Sequence, residues 1–165
     1  MGALVWALGF ATVNIYLQFA FPSDVRVQLS WPEFTAVNLS VAALKVLGAV
    51  VALATVTRWG RRLPDALVST AAWGAAAMLL IYSGYGAVLL TVQGGWAQTL
   101  NAGGTFTVPA WGYMLFFLVP GVLFALAAAD HQRRTGTRFT TVLLGALGAP
   151  LVLAAVFLGL SAALV

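Results

Sequence analysis

Lys45 stands alone in an apolar run from Thr35 to Val56, and no other ionisable side chain lies within that run. A lysine so placed has three available chemistries: binding an anion, relaying a proton, or meeting a lipid head group. At ~1.5 Å rise per residue in a helix, ten residues in from Thr35 place it roughly 15 Å deep, near the middle of a ~30 Å hydrocarbon core. A cation there costs about 2.5–3.5 kcal/mol on insertion scales, so it must face protein or a cavity rather than lipid. No Asp or Glu falls in any apolar run, so one copy of the chain offers no buried counter-ion. The alternative to a functional role is a brace, with the ammonium donating to Asn14, Asn38 or a tyrosine oxygen.

Glu33 is the second candidate, in Ser30-Trp31-Pro32-Glu33-Phe34. A carboxyl flanked by two aromatic rings is a possible general acid toward an apolar substrate. Ser-x-x-Glu ahead of an apolar run is equally a capping box, in which each side chain caps a free amide at the helix end. The remaining polar and aromatic candidates are Asn14, Gln18, Asn38, Tyr82, Tyr85, Trp111 and Tyr113. With Lys45 as its floor, this set could line a binding pocket open toward one leaflet. Otherwise its Tyr and Trp members are the aromatic belt of an ordinary membrane interface.

The elements that position these residues are apolar helices. Residues are 62% hydrophobic and 7% charged, against about 25% charged in soluble domains, so there is too little charge to solvate a globular surface. The five apolar runs, about 3–21, 35–56, 66–92, 109–129 and 140–164, are each long enough to span a bilayer. They predict one all-α integral membrane bundle over 1–165. Six of the eight basic residues lie in two short loops, Arg58, Arg61 and Arg62 in one and Arg133, Arg134 and Arg138 in the other. The positive-inside rule then puts 57–65 and 130–139 in the cytoplasm, with a cytoplasmic N-terminus, an external C-terminus and the protein multi-pass in a cell (inner) membrane. The uncharged, glycine-rich 93–108 segment is expected to be an external flexible loop. Asp24, Arg26 and Asp130 read as solvated loop charges. Gly84, Gly86, Gly145 and Gly148 permit close helix approach, and Pro120 and Pro150 interrupt helices four and five.

Composition also excludes chemistry. There is no cysteine, so disulfides, thiol catalysis and thiolate metal sites are out. His131 is the one histidine, placed by its neighbours in a basic loop, so a histidine metal or haem site within one chain is not expected. No cofactor is implied, since nucleotide, flavin and metal motifs are all missing from the sequence. The positive net charge reads as a topology signal rather than a sign of nucleic acid. The short basic turn with Trp59 is suited to touch anionic lipid head groups.

Arg58-Trp59-Gly60-Arg61-Arg62-Leu63-Pro64 leads into a long apolar helix running to Tyr82-Ser83-Gly84, and Leu118-Val119-Pro120-Gly121-Val122-Leu123-Phe124 precedes the basic stretch His131–Arg134. Over roughly residues 5–135, the chain resembles a family of small multi-pass membrane proteins of unknown function from GC-rich actinobacteria. That resemblance implies a helical membrane bundle and no activity. A weaker one is to small membrane-embedded terpenoid cyclases, which pair an acid with aromatic walls that stabilise carbocations. Glu33 with Trp31, Phe34, Trp96, Phe106 and Trp111 would supply those parts.

Three functions are therefore expected in competition. The first is a lipid-binding bundle or an accessory subunit of a larger membrane complex, with membrane lipids or a homo-oligomer as partners. The second is an enzyme acting on an isoprenoid-type hydrophobic small molecule from the outer leaflet, with Glu33 as acid. The third is a small transporter or anion pathway through Lys45.

Overall fold

The computed structural model describes residues 1–20, 31–95, 99–102 and 106–163; the side chains of 17, 20, 33, 37, 99–108 and 156–163 lie outside that description. Asp24, Arg26 and Trp96 fall outside it altogether. Among the described residues there are five α-helices: α1 (Gly2–Ala20), α2 (Trp31–Val56), α3 (Asp65–Val92), α4 (Ala110–Thr135) and α5 (Phe139–Ala163). A 3-10 turn, Gly60–Arg62, links α2 to α3. Between α3 and α4 lies a short antiparallel hairpin of β1 (Thr99–Ala102) and β2 (Phe106–Pro109), with Thr99 opposite Pro109 and Ala102 opposite Phe106. The expected irregular loop is thus in part a paired ribbon, which satisfies its backbone groups locally.

Three helical stretches, Phe34–Val56, Asp65–Val92 and Ala110–Thr135, are long and apolar enough to cross a membrane. Shorter apolar stretches, Gly2–Tyr16 and Phe139–Ala155, belong to α1 and α5. Small side chains line most of the interior, Ala3, Ala7 and Ala11 on α1, Ala42, Ala49 and Ala52 on α2, Ala72 and Ala76 on α3, around a centre filled by Leu79, Phe117 and Phe124. Leu44, Leu47, Leu126, Leu144 and Leu151 point outward. Small residues inside and leucines outside reverse the distribution of a water-soluble bundle and are consistent with helices that pack by close backbone approach in lipid. α3 and α5 meet most closely at Gly74 and Gly145, where a Cβ on Gly145 would enter the space of the Thr70 carbonyl and the Gly74 amide. Gly86 packs against Met114, whereas Gly84 and Gly148, expected at contacts, face open space.

The helices form two groups. α1 packs along α2, and α3 holds both α4 and α5, while the two groups touch more sparingly through α2 with α3 and α4 and through α1 with α4.

Two boundaries differ from the sequence reading in ways that matter. α2 begins at Trp31, a turn early, which places Glu33 at its third residue. α4 runs past the apolar stretch to Thr135, carrying Asp130, His131, Arg133 and Arg134 into its last two turns. It ends at Gly136 in the left-handed conformation (φ 66°), with the Gly136 amide bonded to the Gln132 carbonyl. His131 is consequently not a loop residue; it is helical and only 5% exposed.

Candidate functional site

Lys45 lies on the same face of α2 as Asn38, Ala42, Ala49 and Ala52, the face buried against α1. Its ammonium nitrogen lies 4.8 Å from the centre of the Trp6 ring, 4.9 Å from Phe10 and 5.6 Å from Phe117. Trp6 and Phe10 are one turn apart on α1, and Phe117 comes from α4, so three rings from two helices enclose the cation. The rings also pack on each other: Phe10 on Phe117 at 5.7 Å and Trp6 on Phe117 at 6.1 Å, both edge to face. Phe116 closes the cluster against Trp6 at 5.4 Å and Phe10 at 5.1 Å. A desolvated cation over an aromatic face gains up to about 2 kcal/mol. Three such faces are of the right size to offset the cost of placing a cation among apolar side chains.

Among the described residues Lys45 makes neither a hydrogen bond nor an ion pair, so the donors expected to brace it do something else. The Asn14 side-chain amide donates to Asn38 Oδ1 at 2.9 Å, and Asn38 Nδ2 donates to the Asn14 carbonyl at 2.7 Å and to Gln18 Oε1 at 3.1 Å. Gln18 Nε2 in turn donates to the Thr35 hydroxyl at 2.8 Å. This ladder joins the end of α1 to the start of α2, with Asn14 and Asn38 both buried. It leaves one acceptor, Asn14 Oδ1, buried without a donor, and one donor, the Trp6 indole N–H, buried without an acceptor.

The other sequence candidates separate from this cluster to differing degrees. Tyr82 and Tyr113 approach each other at 3.4 Å between hydroxyls and both stack on Phe117, at 4.7 and 5.1 Å, so they border the lysine cluster. Tyr85 and Trp111, 64% and 53% exposed, face outward as belt residues would. Glu33 sits twelve residues before Lys45 on α2, about 18 Å along the axis at ~1.5 Å per residue. Its side chain lies outside the described residues. Of the rings expected around it, Trp31 and Phe34 lie 6.2 Å apart in the first turn of α2, while the Trp96 and Phe106 side chains are outside the described residues.

The rings that surround Lys45 were not among the sequence candidates. Trp6 and Phe10 share a face of α1 with a readable signal, since they flank Ala3, Ala7 and Ala11, small residues at four-residue spacing. Comparison with protein-family models, curated proteins and solved structures returned no match.

Proposed function

We propose that this chain is a non-catalytic membrane bundle that binds lipid, with all five helices spanning, both basic turns in the cytoplasm, and the protein multi-pass in a bacterial cell membrane. The observation that supports it is the pair of unmatched donors at the aromatic cluster: the Lys45 ammonium, whose N–H groups bond no described residue, and the buried indole N–H of Trp6 beside it. Two donors without an acceptor call for an acceptor-rich partner, and in a bilayer the abundant acceptors are lipid ester carbonyls and phosphates. An acid-initiated enzyme draws no support from the cluster, since the described residues around Lys45 include no acid.

Native mass spectrometry of protein extracted in a mild detergent tests this reading. Wild-type protein is expected to carry one lipid-sized adduct, and Lys45→Met and Trp6→Phe are expected to lose most of it while remaining folded. An adduct retained in full by both variants would remove the interior site. A co-purifying polypeptide in place of lipid would instead support the accessory-subunit form of the proposal, and a bound isoprenoid would revive the enzyme.

A further inference from the structure

At the basic end of the bundle a second site is built from residues that the interior cluster does not use. The 3-10 turn folds back against the end of α2 because Gly60 packs on the Ala54 carbonyl, where any Cβ would overlap the backbone. The turn thereby sets Arg58 and Arg61 on one wall of a cavity of about 560 Å³, opposite His131, Arg134 and Thr135 from the last turns of α4. Asp65, the first residue of α3, completes the lining. Cavities of roughly 300–1,000 Å³ are the usual size for small-molecule sites.

The side-chain donors left without a partner in this cavity belong to its Arg and His residues. Thr55, Thr57 and Thr135 hydroxyls are spent on the carbonyls of Ala52, Leu53 and His131. Arg134 donates to the Thr55 carbonyl at 2.7 Å and pairs with Asp130 at 2.9 Å. Arg58 and Arg61 have no hydrogen-bond or ion-pair partner among the described residues. His131 Nε2 is buried without a hydrogen bond, its nearest acidic oxygen being Asp65 Oδ1 at 3.8 Å, beyond hydrogen-bond reach. Among the described residues the lining thus presents two free guanidiniums and an unmatched imidazole nitrogen against a single carboxylate.

We infer that this cavity binds a phosphate group, held by Arg58 and Arg61 with His131 Nε2 as a third contact. Guanidinium forks match phosphate oxygens in pairs, and a tetrahedral anion with several acceptor oxygens uses donors arriving from both walls. The Asp65 carboxylate, 3.8 Å from His131 Nε2, opposes an anion at that end of the cavity, so Arg58 and Arg61 carry most of the binding. This site stands independently of the lipid contact at Lys45. Its phosphate can belong to a lipid head group at the membrane surface or to a free phosphate from the aqueous side.

The chain's single histidine makes the test specific. With protein labelled with ¹⁵N only in histidine, every side-chain signal reports the cavity. At fixed pH, inorganic phosphate is titrated into protein in nonionic detergent, and phosphatidic acid is raised within phosphatidylcholine nanodiscs. A saturable shift of the His131 resonances is expected in at least one arm: the detergent arm alone identifies free phosphate, the nanodisc arm alone a head group, and both the shared chemistry. Arg58→Ala and Arg61→Ala should each weaken half-saturation by about tenfold or more. Arg62→Ala removes the same charge from the same turn without touching the cavity, and should change it less than about threefold. No saturable shift in either arm would overturn the inference. An effect of Arg62→Ala as large as that of Arg61→Ala would overturn it too, by reducing the site to diffuse attraction toward a basic surface.

Discussion

Lys45 and Phe117 are the residues on which the interior turns. Replacing a buried cation by an apolar side chain of similar length is commonly neutral or stabilising, so Lys45→Met should melt at or above the wild-type temperature in detergent. Phe117 is the opposite case. It faces the ammonium and stacks on Trp6, Phe10, Tyr82, Tyr113 and Phe116, so Phe117→Ala should cost about 3–5 kcal/mol and lower the melting temperature sharply. A Lys45→Met protein that failed to fold would show that the ammonium makes contacts beyond the three rings. The lysine was legible in the sequence because one charge in an apolar run has a cost that demands a reason. Its rings were harder to see: in a chain whose outside is as apolar as its inside, hydrophobicity does not mark Trp6 and Phe10 as interior, and only the small residues at four-residue spacing beside them do. His131 was misplaced for a different reason: charge density marked the end of the apolar run, while the helix itself continued to the left-handed glycine beyond it.

At the scale of the elements, the α3–α5 contact depends on two glycines in register. Gly145→Ala would press a methyl group into the Thr70 carbonyl and the Gly74 amide, forcing the helices apart. The expected cost is about 1–3 kcal/mol. Gly148, one turn on, faces open space, so Gly148→Ala should be neutral or stabilise by roughly 0.5–1 kcal/mol through helix propensity. Thermal unfolding of the two variants side by side checks the pair; equal destabilisation would mean that the close approach lies elsewhere along α5. Both glycines looked equivalent in the sequence. Spacing identified the small residues on the helix, but the crossing point depends on where Gly74 falls on the partner. The polar contacts at the basic end, Ser69 with Thr141 at 3.2 Å and Trp73 Nε1 donating to Gln132 at 3.2 Å, pin α5 and α4 to α3 and were equally unreadable without the register.

For the whole molecule, the five apolar runs anticipated five helices, and the fold class was legible because length and hydropathy alone define such segments. The grouping into α1–α2 and α3–α5 was not, since it depends on contacts between residues far apart in the chain. Orientation is tested by placing one cysteine at each end of an otherwise cysteine-free chain. In intact cells an impermeant thiol reagent should label Gln93→Cys and spare Trp59→Cys, both exposed positions; the reverse pattern would invert the threading. The order of synthesis gives the two groups a further meaning. Trp6 and Phe10 leave the ribosome before Lys45, and Phe117 long after it. On the proposed five-helix threading, a nascent first hairpin entering the bilayer brings two of the three rings with its own cation, and that lysine need never meet lipid uncovered. The third ring arrives only when α4 inserts, so its docking on the ammonium can act as the latch by which the later helices recognise the earlier pair.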